Sequence, residues 1–204
     1  MKNVLHNIIS LLGIVLLLSA CSYQMPLRNN YVATNHRLFR TDSLKEKRVI
    51  LVIDSYLKDY RLTRPVYNWA GGNLVPDHVS FEIGTAFAKE LSNMCANLFS
   101  SINEVPSFKS AKGRSSKGIN LIIIPEIINA EIFLPSVRFA NIKTEVTVKY
   151  SFYNSLGDLD DKGAATGRGE KKLIFTRKNY QLAMEDALKD LMIRSYDIFI
   201  EVLT

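Results

Sequence analysis

Few side chains in this 204-residue chain have the types and spacing that chemistry needs. Of three histidines, His6 sits ahead of an apolar N-terminal run and His36 lies in a polar stretch. Only His78 falls where the pattern predicts a folded domain. It stands beside Asp77, just before a predicted helix, with no acid or thiol at the spacing of a nucleophile–base pair, so it reads as a surface or cap residue. The run Gly157-Asp158-Leu159-Asp160-Asp161-Lys162-Gly163 is rich in carboxylates, and oxygen-rich turns can hold calcium. Its spacing is not that of a calcium loop, since Glu170 comes one position too late to close one, and a solvated hairpin tip is expected instead. Gly167-Arg168-Gly169 is a G-x-G pair without a strand-to-helix phosphate loop around it; its glycines are expected to permit a bulge or twist in a strand. Lys109, Lys112, Arg114 and Lys117, spaced by Ser, Ala and Gly, could contact phosphate, carboxylate or lipid headgroups, although a solvated flexible loop explains them as well. No aromatic interleaves with these charges, so they do not form a stacking platform for single-stranded nucleic acid. No catalytic residue, metal or cofactor is expected.

Cysteine chemistry is the exception. Lys2 precedes the apolar run Ile8–Leu18, which is followed by the small residues Ser19 and Ala20 and then by Cys21. The run is shorter than the ~20 residues of a membrane span. Its charged, apolar, small order is that of an export signal. Leu18-Ser19-Ala20-Cys21 resembles the lipobox of bacterial lipoproteins. That resemblance implies diacylation of the Cys21 thiol, cleavage before it and acylation of the new amino terminus. An ordinary signal with a chance cysteine and an uncleaved anchor are the alternatives. Ser22, where an Asp would retain the protein at the inner membrane, resembles an outer-membrane address facing the periplasm. With Cys21 lipidated, Cys95 is the only thiol left, so no internal disulfide can form, and its place in a helical pattern reads as a buried small hydrophobe.

Removing residues 1–20 leaves 184, enough for one domain with a sizeable core. The signal contributes only Lys2 to the net charge of +6, so the mature side chains net +5. A modest excess of this kind suits anionic headgroups, lipopolysaccharide phosphates or an acidic partner, and equally a plain solvated surface; export argues against nucleic acid. The organisation expected is a signal peptide at 1–20, lipid anchor and tether at 21–47, and a single domain at 48–204.

The elements that would position any site are read from periodicity. Val49–Ile53 is a short β-branched run typical of a buried strand, which Asp54–Leu62 could continue. Thr63–Pro76, with Pro65, Gly71, Gly72 and the only tryptophan, Trp69, reads as a long loop; Tyr67 and Trp69 form either a contact surface or a cover over the sheet edge. Ile83, Phe87, Leu91, Met94, Cys95, Leu98, Phe99 and Ile102 recur at helical spacing, with Asp77 or Ser80 as candidate caps. Val105–Phe108 could form a short edge strand. Leu121–Phe133 reads as a strand bent at Pro125, Val146–Phe152 as a half-buried strand, Asn154–Asp158 as a turn and Lys162–Phe175 as the returning strand. Leu182 to Val202 repeats as a final helix. The fold class expected is α+β: a mainly antiparallel sheet of four to five strands with two helices packed on one face.

Cys21-Ser22-Tyr23 leading to Arg28, then Arg48-Val49-Ile50-Leu51-Val52-Ile53-Asp54, and Glu145–Asn154 as a long strand, together resemble the lipoprotein family of the lipopolysaccharide-assembly translocon. Auxiliary lipoproteins of lipid-transport ABC systems and curli-secretion-type domains share similar ingredients. The likeness is one of topology and pattern across most of the mature chain; Pro65–Pro76 and Lys109–Lys117 are not matched. It implies a non-catalytic accessory role in an envelope machine, with an envelope protein, lipid or lipopolysaccharide as partner. The alternatives are a periplasmic or surface domain binding cell-wall polymer or an extracellular ligand, and, third, an enzyme with an unrecognised site.

Overall fold

The computed structural model describes residues 23–27, 44–70, 73–113, 118–133, 141–172 and 176–204. In chain order these form β1 (Tyr23–Met25), β2 (Arg48–Val52), α1 (Ser55–Lys58), β3 (Leu62–Ala70), β4 (Asn73–Phe81), α2 (Ile83–Leu98), β5 (Ser101–Val105), α3 (Phe108–Lys112), β6 (Leu121–Phe133), β7 (Ile142–Asn154), β8 (Leu159–Lys171) and α4 (Arg177–Leu203).

The strands make two sheets. The larger has the order β5-β2-β6-β7-β8 and the smaller β1-β4-β3. The α+β class holds, but the large sheet is mixed: β5, β2 and β6 are parallel neighbours, while β6, β7 and β8 are antiparallel. Its β2 is buried on both faces, which explains an unbroken apolar run. Val49 and Leu51 belong to the main core, whereas Ile50 and Val52 meet Val105, Ala111 and Ile122 beneath α3. Strand β7 shows the other regime, with Ile142, Thr144, Val146, Val148, Tyr150 and Phe152 buried in alternation with more exposed neighbours.

Helices α2 and α4 share the main core with the large sheet, and Met25, Leu62, Val66, Val79 and Phe81 of the small sheet join it. The three glycines of β8 set how closely α4 lies. A methyl group on Gly167 would come within 2.1 Å of the Ala187 carbonyl oxygen, and one on Gly169 within 1.9 Å of that of Ala183. At Gly163 the space is filled by the Ile198 side chain, 2.4 Å from such a methyl. At Gly167 and Gly169 helix backbone rests directly on strand, so of the bulge or twist expected there no bulge is found and the two glycines serve close packing; the β7–β8 irregularity lies at Phe152/Tyr153. Thr144 Oγ1 donates to the Ala183 carbonyl at 2.8 Å, fastening the same contact from β7. Further along, the Ser195 hydroxyl donates to the Leu191 carbonyl at 2.7 Å, leaving Tyr150 to donate to Ser195 at 2.5 Å. Burial pushes the Tyr150 hydroxyl well above its ordinary pKa, so it stays a proton donor.

Several expectations are corrected. Asp54–Leu62 does not prolong the strand: Asp54 caps α1 by accepting from Leu57 N–H at 2.7 Å. Thr63–Pro76 is no long loop but most of the β3–β4 hairpin, and His78 is an exposed strand residue within it. Neither Asp77 nor Ser80 caps α2, whose N-cap is Glu82 without a side-chain bond. The helix ends at Leu98, and Ile102 belongs to β5, which is the edge strand in place of Val105–Phe108. The β6–β7 ladder is unbroken at Pro125. Its irregularity is at Ile128, which has no partner between the Ile127–Val148 and Asn129–Thr147 pairs. That extra residue shifts the alternation by one, so Ile127 and Ala130 both reach the core while Ile128 is exposed. The proline is tolerated because the ladder with β2 ends at Ile123.

Candidate functional site

The proposed headgroup-contacting residues are not one loop. Lys109 and Lys112 lie on the short helix α3, capped by Ser107 Oγ accepting from Ser110 N–H at 3.2 Å. Lys112 Nζ sits 4.9 Å above the Phe108 ring, and its stem lies against Gly157 in the β7–β8 turn. Phe108 in turn packs on Tyr153 with ring centres 4.6 Å apart. Arg114 and Lys117 lie outside the described residues, as does Cys21.

The chain just past Cys21 is tied into the fold. Two positions on, Tyr23 opens β1, which pairs in parallel with β4 through Tyr23–Val79, Gln24–Ser80 and Met25–Phe81. Met25 is buried, and Gln181 Nε2 on α4 donates to the Pro26 carbonyl at 2.6 Å. Leu44, near the other end of the segment read as a tether, is also buried. Part of that segment is thus an element of the fold. Sequence reasoning missed it because three residues are too few to display a period.

The parallel register gives β1 a direction. Its N-terminal end points the same way as the tip of the β3–β4 hairpin, which continues six pairs past Tyr23–Val79, from Pro65–His78 to Ala70–Asn73. Arg177 Nε at the start of α4 donates to Asp77 Oδ2 at 2.6 Å, and Asp77 Oδ1 accepts its neighbour's backbone N–H at 2.8 Å. The guanidinium bond is the main cause that holds the Asp77 carboxyl below the usual carboxylate range. Arg64, His78, Lys143, Lys172 and Lys178 are exposed at this end of the molecule. The α3 lysines are elsewhere: α3 packs by the β7–β8 turn, at the end of β7 remote from Thr144 and from the start of α4. The basic segment and the anchor-proximal strand are therefore not brought together. Strand β7 and helix α4 each span about 40 Å between those two ends.

The remaining candidates for chemistry are in the interior or on open surface. Cys95 is fully buried, and desolvation pushes its thiol far above the ordinary value, against the thiolate that nucleophilic work requires. Asn154 Oδ1 accepts the backbone N–H groups of Leu156 and Asp158, so Asp158 belongs to a self-bonded hairpin tip, with Asp160 and Asp161 exposed on the strand beyond it. Among the described residues no group of three His, Cys, Asp or Glu side chains is placed to hold a metal. A cleft of about 170 Å³ lies between α1 and the middle of β6, bordered by Asp54, Tyr56, Tyr60 and Glu126. Burial raises the Tyr60 hydroxyl there, and no nucleophile–base pair faces the space. Among the described residues no helix is long and apolar enough to cross a membrane.

No family model matches the sequence. No curated protein matches it. Among solved structures, the chain is similar to protein XCC0632 of Xanthomonas campestris, of the family DUF330, with a TM-score of 0.47 and 6% identity over 89% of this chain and 99% of that one. It is similar to lipoprotein GNA1162 of Neisseria meningitidis at a TM-score of 0.34 and 10% identity, covering 61% and 84%. A candidate lipoprotein of Caulobacter crescentus gives 0.33 and 8%, covering 47% and 76%. These are partial likenesses of shape and say nothing of activity.

Proposed function

We propose that the chain is a lipid-anchored, non-catalytic accessory protein of a cell-envelope assembly or transport machine, held at the outer membrane facing the periplasm and binding an envelope protein or a glycolipid. The observation that carries this reading is the export-signal pattern ending at Cys21. Two or more acyl chains at such a cysteine make a stable membrane attachment. An anchor raises the local concentration near any membrane partner, so a modest interface suffices. The enclosed thiol of Cys95, and an Asp77 carboxylate beside the exposed His78 that is bonded to Arg177, favour binding over catalysis.

The test is affinity purification of the lipidated protein from crosslinked membranes, followed by mass spectrometry and lipid analysis. Recovery of a stoichiometric outer-membrane protein or transport subunit is the expected result. Recovery of lipopolysaccharide or another lipid alone would recast the protein as a carrier or sensor. Recovery of neither from a properly lipidated sample would overturn the stable-accessory reading.

A further inference from the structure

The large sheet ends in a long strand with one side open. Strand β8 pairs with β7 along its length, and among the described residues no strand adjoins its other side. Two bonds show which of its amides face outward. Arg168 N–H donates to Asp190 Oδ2 of α4 at 3.0 Å, and Lys162 N–H donates to Asp161 Oδ1 at 2.6 Å. Neither amide is used by β7. By the alternation of an antiparallel ladder, Lys162, Ala164, Thr166 and Arg168 therefore turn both N–H and C=O to the open side. At two of these rungs a carboxylate stands where a further strand would place a carbonyl oxygen. A row of outward backbone groups of this length is a template for another strand.

The edge has room beside it. Gly163-Ala164-Ala165-Thr166-Gly167 carries only small side chains, and a space of about 360 Å³ is bordered by Ala164, Thr166 and Arg168 of the strand and by Arg194, Asp197 and Glu201 of α4. The charges at the two ends of that run say which strand fits. With β8 set antiparallel to a copy of itself and Thr166 on the two-fold axis, Lys162 falls opposite Glu170 and Asp161 opposite Lys171, each pair occurring twice. Outward residues then meet outward residues, so N–H groups face carbonyls. Neighbouring registers are worse. An axis at Ala165 sets Lys162 against Arg168, and one at Gly167 sets Lys162 against Lys172. Opposite charges across a strand pair favour the pairing and like charges oppose it. Lys171 bonds Asp186 at 2.6 Å and Glu170 accepts from Asn141 at 2.6 Å, yet an ammonium has three protons and a carboxylate two oxygens, so each can take a second partner.

We propose that two copies of this chain join through their β8 strands, antiparallel about Thr166, into one continuous sheet. In the single chain Asp190 and Asp161 occupy the edge. On pairing they release Arg168 N–H and Lys162 N–H to the carbonyls of Ala164 and Glu170 in the other copy. Asp190 also holds Arg194 Nε at 2.9 Å, so the axis brings this pair toward its symmetry mate with charges of both signs to exchange.

The test is sedimentation equilibrium of the full chain in density-matched detergent, over a concentration series. Wild type is compared with Lys162→Glu, with Glu170→Lys and with an equimolar mixture of these two variants. Wild type is expected to sediment as two chains. Each single variant sets like charges opposite each other twice, and its dissociation constant should rise about tenfold or more. In the mixture every such pair regains opposite signs, so the two variants should combine with each other although neither combines with itself. Thr166→Pro removes an outward N–H that β7 does not use, and should abolish the pairing with its circular dichroism unchanged. A wild type that stays one chain throughout the series overturns the proposal. So does a dimer that survives in both single variants, or a mixture that behaves as the sum of its parts.

Discussion

The two sheets of this protein are built on opposite terms. The large one is held by helix α4 lying on backbone: Gly167 and Gly169 leave room for no side chain between strand and helix, and Thr144 bonds across the same contact. The small one enters the core at its base through Met25, Leu62, Val66, Val79 and Phe81, and its β3–β4 ladder continues six pairs beyond the reach of β1. One region spends its sequence on close contact with itself. The other carries Val66–Pro76, a run without one Asp, Glu, Lys or Arg, beyond the strand that ties the start of the domain down.

The comparison breaks most visibly at the glycines. Gly167→Val is expected to cost more than about 3 kcal/mol, because strand and helix must part along their length; urea denaturation would show it, and a midpoint near wild type would refute backbone contact as the determinant. Next is Phe199→Ala. Phe199 meets Tyr150 edge-on with centres 5.1 Å apart and Phe152 likewise at 5.5 Å, so about 3 kcal/mol should be lost in the same assay. Asp77→Asn probes the joint between the regions. Its partner Arg177 is partly exposed, so the loss at neutral pH should be about 1 kcal/mol. The sign follows from the lowered carboxyl pKa: the pair's contribution is whole above the unfolded value of about 3.9 and disappears as pH falls through the folded one. Wild-type and Asp77→Asn stabilities should therefore converge in acid, and curves that stay parallel would remove the pair from the joint.

How much of this was legible depended on length and on the number of covered faces. Strand β7 and helices α2 and α4 were readable because each repeats one period over many residues against a single core. The hairpin was hidden by its punctuation. Pro65 and Pro76 look like breakers, yet Pro65 is on an edge strand and Pro76 lies past the reach of β1, so neither removes a needed ladder bond. Gly71-Gly72 between two apolar stretches was the hairpin signal available, and the prolines outweighed it. The basic residues Lys109 and Lys112 were visible as charges, but nothing local revealed that α3 lies at the end of the molecule remote from β1. Only the register of β1 on β4 relates the start of the domain to the β3–β4 hairpin, and a pairing between residues more than fifty positions apart leaves no local trace.

The parallel setting of β1 also has a mechanical side. With a lipid on Cys21, any force drawing the anchor out of the bilayer, or the domain away from it, acts along the axis of β1. The three pairs from Tyr23–Val79 to Met25–Phe81 are then loaded in shear and must yield together, instead of peeling one by one. The short strand would act as a latch that keeps the domain close to its anchor.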